Sequence, residues 1–221
     1  MAHVGLGLIG YYQFIRGYPL GPDLMARLES LESPENDVDI KEMNWGPIAI
    51  VQDFQASAVS YDRMVLIAAA ARGGTTGQVM ARQWIGGELE VMAVQQRIFE
   101  AVTGIISIDN LLVIGEHFKI WPQEVIVIEA EIPADSIGNL VLDELEANRR
   151  EGRDAVIGQN EMDPSVEKIV DDIMELTRLA IDKGTAGMAN LRSLSVDDLF
   201  PPPDICHNRA VEGVWSAASI N

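Results

Sequence analysis

The turn after one strongly apolar stretch carries residues suited to binding an anion. Residues 63–69 are predicted to form a buried strand, and Ala-Arg-Gly-Gly-Thr-Thr-Gly follows over 71–77. Glycine-rich turns after strands can present several backbone N–H groups to one anion, and an arginine adds positive charge. A tight turn without a ligand is the alternative. The predicted pocket is formed by Tyr11, Tyr12, Arg72, Gly73 and Gly74.

A second group of side chains offers ligand atoms for a metal ion. Asp109, Glu116 and His117 lie in one predicted helical segment, and Cys206-His207 lies near the C-terminus. Adjacent helical residues point about 100° apart, which is poor geometry for a shared ion. A solvated or capping role is therefore the alternative for His117. We predict no metal and no cofactor as resident groups, with Asp109, Glu116 and His117 as the alternative ligands.

Signatures of covalent catalysis are absent from the sequence. No Gly-x-Ser-x-Gly motif occurs, and the single cysteine, Cys206, lies in the C-terminal segment. The early Gly-Leu-Gly-Leu-Ile-Gly is one residue short of the dinucleotide-binding spacing. Acyl-enzyme chemistry and dinucleotide binding are therefore not predicted.

Apolar runs of strand length alternate with segments of helical periodicity, which favours an α/β fold. Helices are predicted from residues 22, 46 and 107, and residues 87–104 could begin as a strand and continue as a helix. The last helix, 163–183, has Asp163 as N-cap and Gly184 past its end. Its apolar stripe comprises Val166, Ile169, Val170, Ile173, Leu176 and Ala180. Strands are predicted at 4–9, 37–43, 63–69 and 124–132. The expected architecture has three layers, α/β/α, with a mostly parallel central sheet.

Composition limits the partners of the chain. The 221 residues include 16 Lys and Arg against 34 Asp and Glu, a formal net charge of −18. Such a surface repels phosphate backbones and acidic membranes, so we predict that nucleic acid is not a partner. No apolar run approaches the roughly 20 residues that cross a bilayer. With one cysteine and no basic N-terminal region, the chain is expected in the cytoplasm.

The C-terminal segment does not have the composition of a free tail. We divide the chain into an α/β domain over 1–184 and an extended docking tail over 185–221. The tail contains the run Pro201–Pro203, which must be extended, and the aromatic residues Phe200 and Trp215. Free tails are poorer in large apolar residues. We therefore predict that Phe200 and Trp215 dock on the chain's own domain or on a partner.

Three stretches resemble the hydrogenase maturation peptidases, which trim the large subunit of nickel-iron hydrogenase after nickel insertion. They are residues 9–29 (IGYYQFIRGYPLGPDLMARLE), 61–79 (YDRMVLIAAAARGGTTGQV) and 110–131 (NLLVIGEHFKIWPQEVIVIEAE). The likeness covers roughly residues 3–183 and consists of elements and spacings. It implies a phosphorylase/hydrolase-like α/β fold and a hydrogenase-like large subunit as partner.

The same resemblance implies that the metal-sensing residues of the family are replaced here. Its first acid falls on Tyr18, its strand-end aspartate on Ala68, and its histidine on or near Gly104. Alanine and glycine offer no side-chain lone pair, and a tyrosine with a pKa near ~10 is neutral at pH 7. No catalytic residue is therefore predicted.

Two functions from different classes remain open. The first is a non-catalytic interaction or assembly protein that binds a hydrogenase-like large subunit or another complex. The second is an active maturation endopeptidase with displaced nickel-sensing ligands. A small-molecule enzyme that uses 71–77 for an anion is a weaker third. Self-association is compatible with all three.

Overall fold

The structure is a computed structural model that describes residues 1–9, 22–31, 33, 35–43, 45–103, 107–131, 149–150 and 164–200. The predictions for Tyr11, Tyr12, Tyr18, Gly104 and Trp215 lie outside the described residues. The strands are β1 (His3–Ile9), β2 (Asp37–Met43), β3 (Arg63–Ala70), β4 (Val79–Gly86), β5 (Glu124–Glu131) and β6 (Arg192–Ser195). The helices are α1 (Pro22–Glu29), α2 (Pro47–Ala56), α3 (Val91–Val102), α4 (Ile108–His117), α5 (Pro164–Lys183) and α6 (Val196–Leu199), and a 3-10 turn spans Gly184–Gly187.

The six strands form one sheet in the order β2-β1-β3-β5-β4-β6. The neighbours β2, β1, β3 and β5 are parallel. β4 is antiparallel to β5, and β6 runs parallel to β4. The predicted α/β fold with a mostly parallel sheet is therefore confirmed, with an antiparallel addition at one edge.

β4 is a strand that the periodicity did not predict. The sequence allowed a strand at the start of residues 87–104. The structure instead has a strand just before this segment, at Val79–Gly86, and the helix α3 begins at Val91. Gly86 and Gly87 both have positive φ, at 70° and 151°. These backbone angles, which glycine adopts without a Cβ clash, turn the chain away from the sheet between the two elements.

Helices cover both faces of the sheet, which confirms the predicted three layers. On one face α1 and α5 pack on residues such as Val65 and Ile67 of β3. On the other face α2 and α4 pack on Met64 and Leu66. Because successive side chains of a strand point to opposite faces, the apolar run of β3 serves both cores.

α5 shows the predicted stop and, from Ile169 onward, the predicted stripe, while the predicted N-cap Asp163 lies outside the described residues. Val170, Ile173 and Ala180 are buried in the core, with Ile169 and Leu176 partly buried beside them. Gly184 follows the helix with φ 61°, a left-handed conformation that glycine adopts readily. None of the described helices has the length and the apolar character that a membrane span needs.

Residues 192–200 of the predicted tail pack on the domain. β6 pairs with β4, and Leu194, Val196 and Leu199 are buried in the core. The Phe200 ring lies over the Arg97 guanidinium, 4.5 Å from Cζ to the ring centre. This part of the tail therefore packs on its own domain, one of the two alternatives, while the boundary after residue 184 stays a prediction.

Candidate functional site

The carboxyl ends of β1 and β3 mark the place where this fold would bind a ligand. β1 pairs with β2 on one side and with β3 on the other, so the strand order reverses between β1 and β3. In open α/β sheets ligands bind at the carboxyl edge at such a point. The segment after β3 carries Arg72, and a cluster of charged side chains surrounds it there.

Glu129 is the buried centre of this charged cluster. It lies on β5, its residue surface is 3% exposed, and two arginines hold its carboxylate. Arg72 Nη2 lies 2.6 Å from Glu129 Oε1, and Arg82 Nε lies 2.8 Å from Glu129 Oε2. Because a buried, unpaired carboxylate is very unfavourable, these two contacts are what permit a charge at this position.

Arg72 joins Glu129 to the first turn of α4. Its Nη1 and Nη2 donate to the two oxygens of Asp109, at 3.1 and 2.6 Å, as a two-pronged fork. Ser107 caps this helix by accepting from the Asn110 amide, which fixes the turn that carries Asp109. Burial opposes the charge on Arg72, but hydrogen bonds to Glu129 and Asp109 raise the pKa of its guanidinium above the ordinary value.

Glu131 completes the cluster through backbone contacts. Its Oε1 accepts from the Arg72 amide at 2.7 Å, and its backbone oxygen accepts from the Gly77 amide at 2.9 Å. Arg72, Arg82, Glu129, Asp109 and Glu131 thus bring two cations and three carboxylates to one edge of the sheet. We name these five residues the charged cluster.

The cluster leaves Arg72 with little capacity for an external anion. The N–H of Nε, one of Nη1 and both of Nη2 already donate to Glu129 or Asp109, four of the five that a guanidinium has. Gly73 has φ 76° and open space around it, whereas a methyl group at Gly74 would lie 3.1 Å from the Glu131 carboxylate. The predicted anion pocket at Arg72, Gly73 and Gly74 stays a prediction, and the arginine in it is already paired.

Ala68, where the resemblance implies an aspartate, lies directly beside this cluster. It is 1% exposed and pairs in register with Glu129 of β5. Its methyl group belongs to the same core as Leu66 and Ala70. An aspartate here would place a further carboxylate next to Glu129.

The alternative metal ligands are not brought together. Asp109 binds Arg72, and Glu116 Oε2 accepts from the indole N–H of Trp84 at 2.8 Å. The His117 ring packs edge-on against Phe118, 5.0 Å between ring centres. Among the described residues, no three His, Cys, Asp or Glu side chains lie close enough to share a metal ion.

A cleft of about 510 Å³ lies at the amino end of β5, whereas the charged cluster lies at its carboxyl end. Trp84, Glu116, Lys119, Trp121 and Gln123 are among the residues that line it. It contains Glu116 of the alternative metal ligands but neither Asp109 nor Arg72. The residues assigned from the sequence are therefore divided between two ends of the molecule.

Glu129, Arg82 and Glu131 are site residues that the sequence analysis missed. A signal existed, because the strand Glu-Val-Ile-Val-Ile-Glu-Ala-Glu is otherwise apolar and buried parallel strands seldom carry unpaired charges. Of its three glutamates, Glu129 and Glu131 are buried and require partners. The partners themselves could not be named without β4, which carries Arg82.

Comparison with known proteins gives similarity at the level of structure only. No protein-family model matches the chain, and no curated protein matches its sequence. The crystal structure of a hydrogenase 3 maturation protease shares 12% identity, with 87% of this chain and 97% of that chain covered and a TM-score of 0.48. The hydrogenase maturating endopeptidase HybD from E. coli shares 13%, with 81% and 91% covered and a TM-score of 0.45.

A third solved structure is the hydrogenase 2 maturation peptidase from Thaumarchaeota archaeon SCGC_AB-539-E09. It shares 16% identity, with 81% of this chain and 98% of that chain covered and a TM-score of 0.44. At these identities the similarities assign no role to any residue of this chain. These three solved structures are hydrogenase maturation peptidases.

Proposed function

We propose that this protein is a non-catalytic relative of the maturation peptidases that binds a hydrogenase-like large subunit, in the cytoplasm. One observation carries the proposal: Arg72 and Arg82 already pair with two of the three carboxylates of the charged cluster, Glu129 and Asp109. A site that senses a metal needs ligand oxygens that are free or weakly held. At the carboxyl edge of β3 and β5, Glu129 and Asp109 are instead bound by guanidinium groups at 2.6–2.8 Å.

The position of Ala68 adds to this support. The strand-end aspartate that the resemblance implies is an alanine packed in the core, and its neighbour in register on β5, Glu129, is held by two arginines. A nickel ion would have to displace at least one buried arginine to reach Glu129. Breaking a buried ion pair costs about 3–5 kcal/mol, which would be subtracted from the binding free energy.

An active endopeptidase with displaced ligands is the second candidate. Asp109 and Glu129 share Arg72, so Asp109 and Oε1 of Glu129 would become available at one place if that side chain turned outward, while Arg82 keeps Oε2 of Glu129. This candidate requires the arginine to leave its pairs when a metal-loaded substrate binds. Removing Arg72 should then create a nickel site without any new ligand.

Calorimetric titration with nickel at pH 7 separates the two candidates. We expect no binding by the native chain, and binding by a variant that carries Tyr18→Glu, Ala68→Asp and Gly104→His. The matched control replaces the two new carboxylates by amides, as Tyr18→Gln and Ala68→Asn with Gly104→His. Micromolar or tighter binding by the native chain, or by Arg72→Met alone, would favour the second candidate.

Binding to the partner needs its own measurement. A purified nickel-loaded large-subunit precursor is immobilised, and both binding and trimming of its C-terminus are followed. Binding without trimming is the expected result. Trimming would establish the peptidase, and the absence of both would overturn the assignment of this partner.

A further inference from the structure

β2 is the outermost of the described strands at one side of the sheet, and one of its two edges pairs with no described strand. A long unpaired strand edge is a template for a further strand, so proteins usually shorten it or place charges along it. β2 keeps seven residues and carries charges of both signs, among them Asp37, Asp39 and Lys41. We name the unpaired side of this strand the β2 edge.

The backbone groups of alternate residues point outward at the β2 edge. The Asp37 amide donates at 3.1 Å to the carbonyl of Ala2, the residue before β1, so the backbone groups of Asp37 face β1. Along a strand these groups alternate between its two edges. Those of Asp39 therefore also face β1, whereas those of Val38 and Ile40 face away from the sheet. A strand that joins the β2 edge would pair with Val38 and Ile40.

A second copy of β2, running antiparallel, matches this edge in one register. When Ile40 faces Ile40 of the second copy, the outward backbone groups meet, and Asp39 of each copy faces Lys41 of the other. The next shift that keeps these groups opposite each other moves the second strand by two residues. It places Asp39 against Asp39 or Lys41 against Lys41. Because like charges directly opposite are destabilising and opposite charges are favourable, charge selects the first register.

Asp39 and Lys41 both have capacity for this contact. The contacts of Asp39 with Tyr61 and His3 both use Oδ2, at 3.1 and 3.2 Å, and among the described residues no group binds Oδ1. Lys41 Nζ lies 3.0 Å from Asp53, which leaves two of the three N–H groups of the ammonium. The side chains of Asp39 and Lys41 are 47% and 28% exposed. An ion pair between copies therefore requires no existing contact to break.

The other face of β2 offers an apolar contact in the same register. Val38 and Ile40 are partly buried and pack against the core that includes Leu24 and Leu28 of α1. Side chains on one face of an antiparallel pair touch when their residues are directly opposite. Ile40 of the two copies would therefore meet and extend this core across the new strand pair.

We propose that the protein forms a twofold symmetric dimer in which the β2 edges of two copies pair antiparallel, with Asp39 of each copy bound to Lys41 of the other. The two sheets then become one continuous sheet. Such an interface uses the same surface of both copies and closes on itself, so it does not grow into a fibre. This inference does not depend on whether the protein has peptidase activity.

Charge reversal in the full-length chain tests the ion pairs. Sedimentation velocity from low micromolar to submillimolar concentration should show a dimer in equilibrium with the monomer. Asp39→Lys and Lys41→Glu should each raise the dissociation constant at least tenfold, because like charges then face each other. In a mixture of these two variants the facing charges are again opposite, so a heterodimer should form with a dissociation constant within threefold of the native value.

Asp37→Lys is the matched control for these variants. Asp37 lies on the same strand but faces Met43 of the second copy in the proposed register, so the dissociation constant should change less than threefold. Circular dichroism verifies that all variants are folded. A native chain that stays monomeric throughout, a dimer that neither reversal weakens, or a mixture that does not associate would overturn the proposal.

A disulfide tests the register directly. In a Cys206→Ser background, Ile40→Cys places two Cα atoms about 5.5 Å apart across the dimer, within the range of a disulfide. Asp37→Cys is the control, because its two copies would lie about 20 Å apart at ~3.4 Å per residue. We expect mild oxidation to give a covalent dimer from Ile40→Cys and none from Asp37→Cys. Equal yields from the two variants would overturn the register and with it the proposal.

Discussion

Arginine and glutamate side chains hold both ends of the β3–β5 pair, but they do so differently. At the amino end, Arg63 Nε lies 2.6 Å from Glu124, and Arg63 Nη1 donates to the carbonyls of Ala180 and Ile181. Glu124 also accepts from the Thr185 amide at 2.6 Å. We name this group the amino-end clasp. At the carboxyl end lies the charged cluster around Glu129.

The two groups differ in the partners that bind their charged side chains. In the amino-end clasp, backbone groups at or just after the end of α5 also form hydrogen bonds with Arg63 and Glu124. A cation near a helix C-terminus is favourable as well. In the charged cluster, carboxylates and guanidinium groups pair mainly with each other, and Glu129 is almost fully buried. Buried charge networks are weak evidence for stability but common at functional sites. The clasp therefore joins β3, β5 and the end of α5, whereas the cluster lies at the candidate site.

Removing the arginine of each group should give the largest effects. Arg72→Met leaves Glu129 and Asp109 short of a partner, so we expect the free energy of unfolding to fall by about 3–5 kcal/mol. Arg63→Met should cost less, about 2–3 kcal/mol, because the Thr185 amide still binds Glu124. Urea denaturation at pH 7 measures both.

Arg27→Met is the matched surface control for these two variants. Arg27 pairs with Asp171, whose side chain is 71% exposed. We expect a change within about 1 kcal/mol. A larger loss for Arg63→Met than for Arg72→Met would reverse the contrast between the clasp and the cluster.

Replacing a glycine beside each group by alanine should give the next largest effects. The loss of stability should be greater at the clasp than at the cluster. At Gly184, φ is 61° and the new Cβ would fall on the Arg63 guanidinium and the Glu124 carboxylate. Gly184→Ala should therefore cost about 2–3 kcal/mol. Gly74→Ala places its methyl 3.1 Å from a Glu131 oxygen, which can shift slightly, so we expect a loss below about 1 kcal/mol. Comparable losses in thermal unfolding would show that the cluster is as rigid as the clasp.

Acid should weaken the clasp through Glu124. Burial would raise the pKa of Glu124, but the Thr185 amide and Arg63 lower it below the usual value. A lowered folded-state pKa gives stability that is present above the unfolded value of about 4.3 and is lost as pH falls through the folded value. The free energy of unfolding should therefore decline less below about pH 5 in Glu124→Gln than in the native chain. Identical acid limbs in urea titrations would contradict this role.

Alkaline pH should lower the stability of the same amino end of the sheet through Tyr61. This is the smallest of the expected effects. Burial and the hydrogen bond to Asp39 raise the pKa of Tyr61 to about 12. The stabilisation is present below an unfolded pKa of about 10 and is lost as pH rises towards the folded value. Because the phenol is only partly buried, solvent screening keeps this contribution small. Absorbance titration should show a tyrosinate step near pH 12 that is missing in Tyr61→Phe.

The elements with a strong periodic pattern of apolar residues could be predicted from the sequence. The strands that form because a neighbouring strand pairs with them could not. The apolar runs of β3 and β5 and the stripe of α5 correspond to the structure closely. β6 has only four residues, and β4 contains Arg82 and Gln83 among its apolar positions. Neither carries a signal strong enough to stand out before its neighbour in the sheet is known.

For the site, the sequence identified Arg72 and Asp109 but gave each a different role. It placed Arg72 in an anion pocket and gave Asp109 only as an alternative metal ligand, whereas the structure pairs them with each other. Their contact joins residues 37 positions apart through the packing of α4 on the sheet, and that packing is not encoded in any local spacing. The unexplained glutamates of β5 were the only local trace of the cluster.

The placement of β5 between β3 and β4 also governs the order in which the chain can assemble during synthesis. β3 and β4 are consecutive in sequence but do not pair, and 61 residues (131 − 70) separate the end of β3 from the end of β5. At roughly 5–20 residues per second, a ribosome needs about 3–12 s to make them. Until then the apolar strand β3 has one unpaired edge, so this interval is when the nascent protein is most exposed to aggregation.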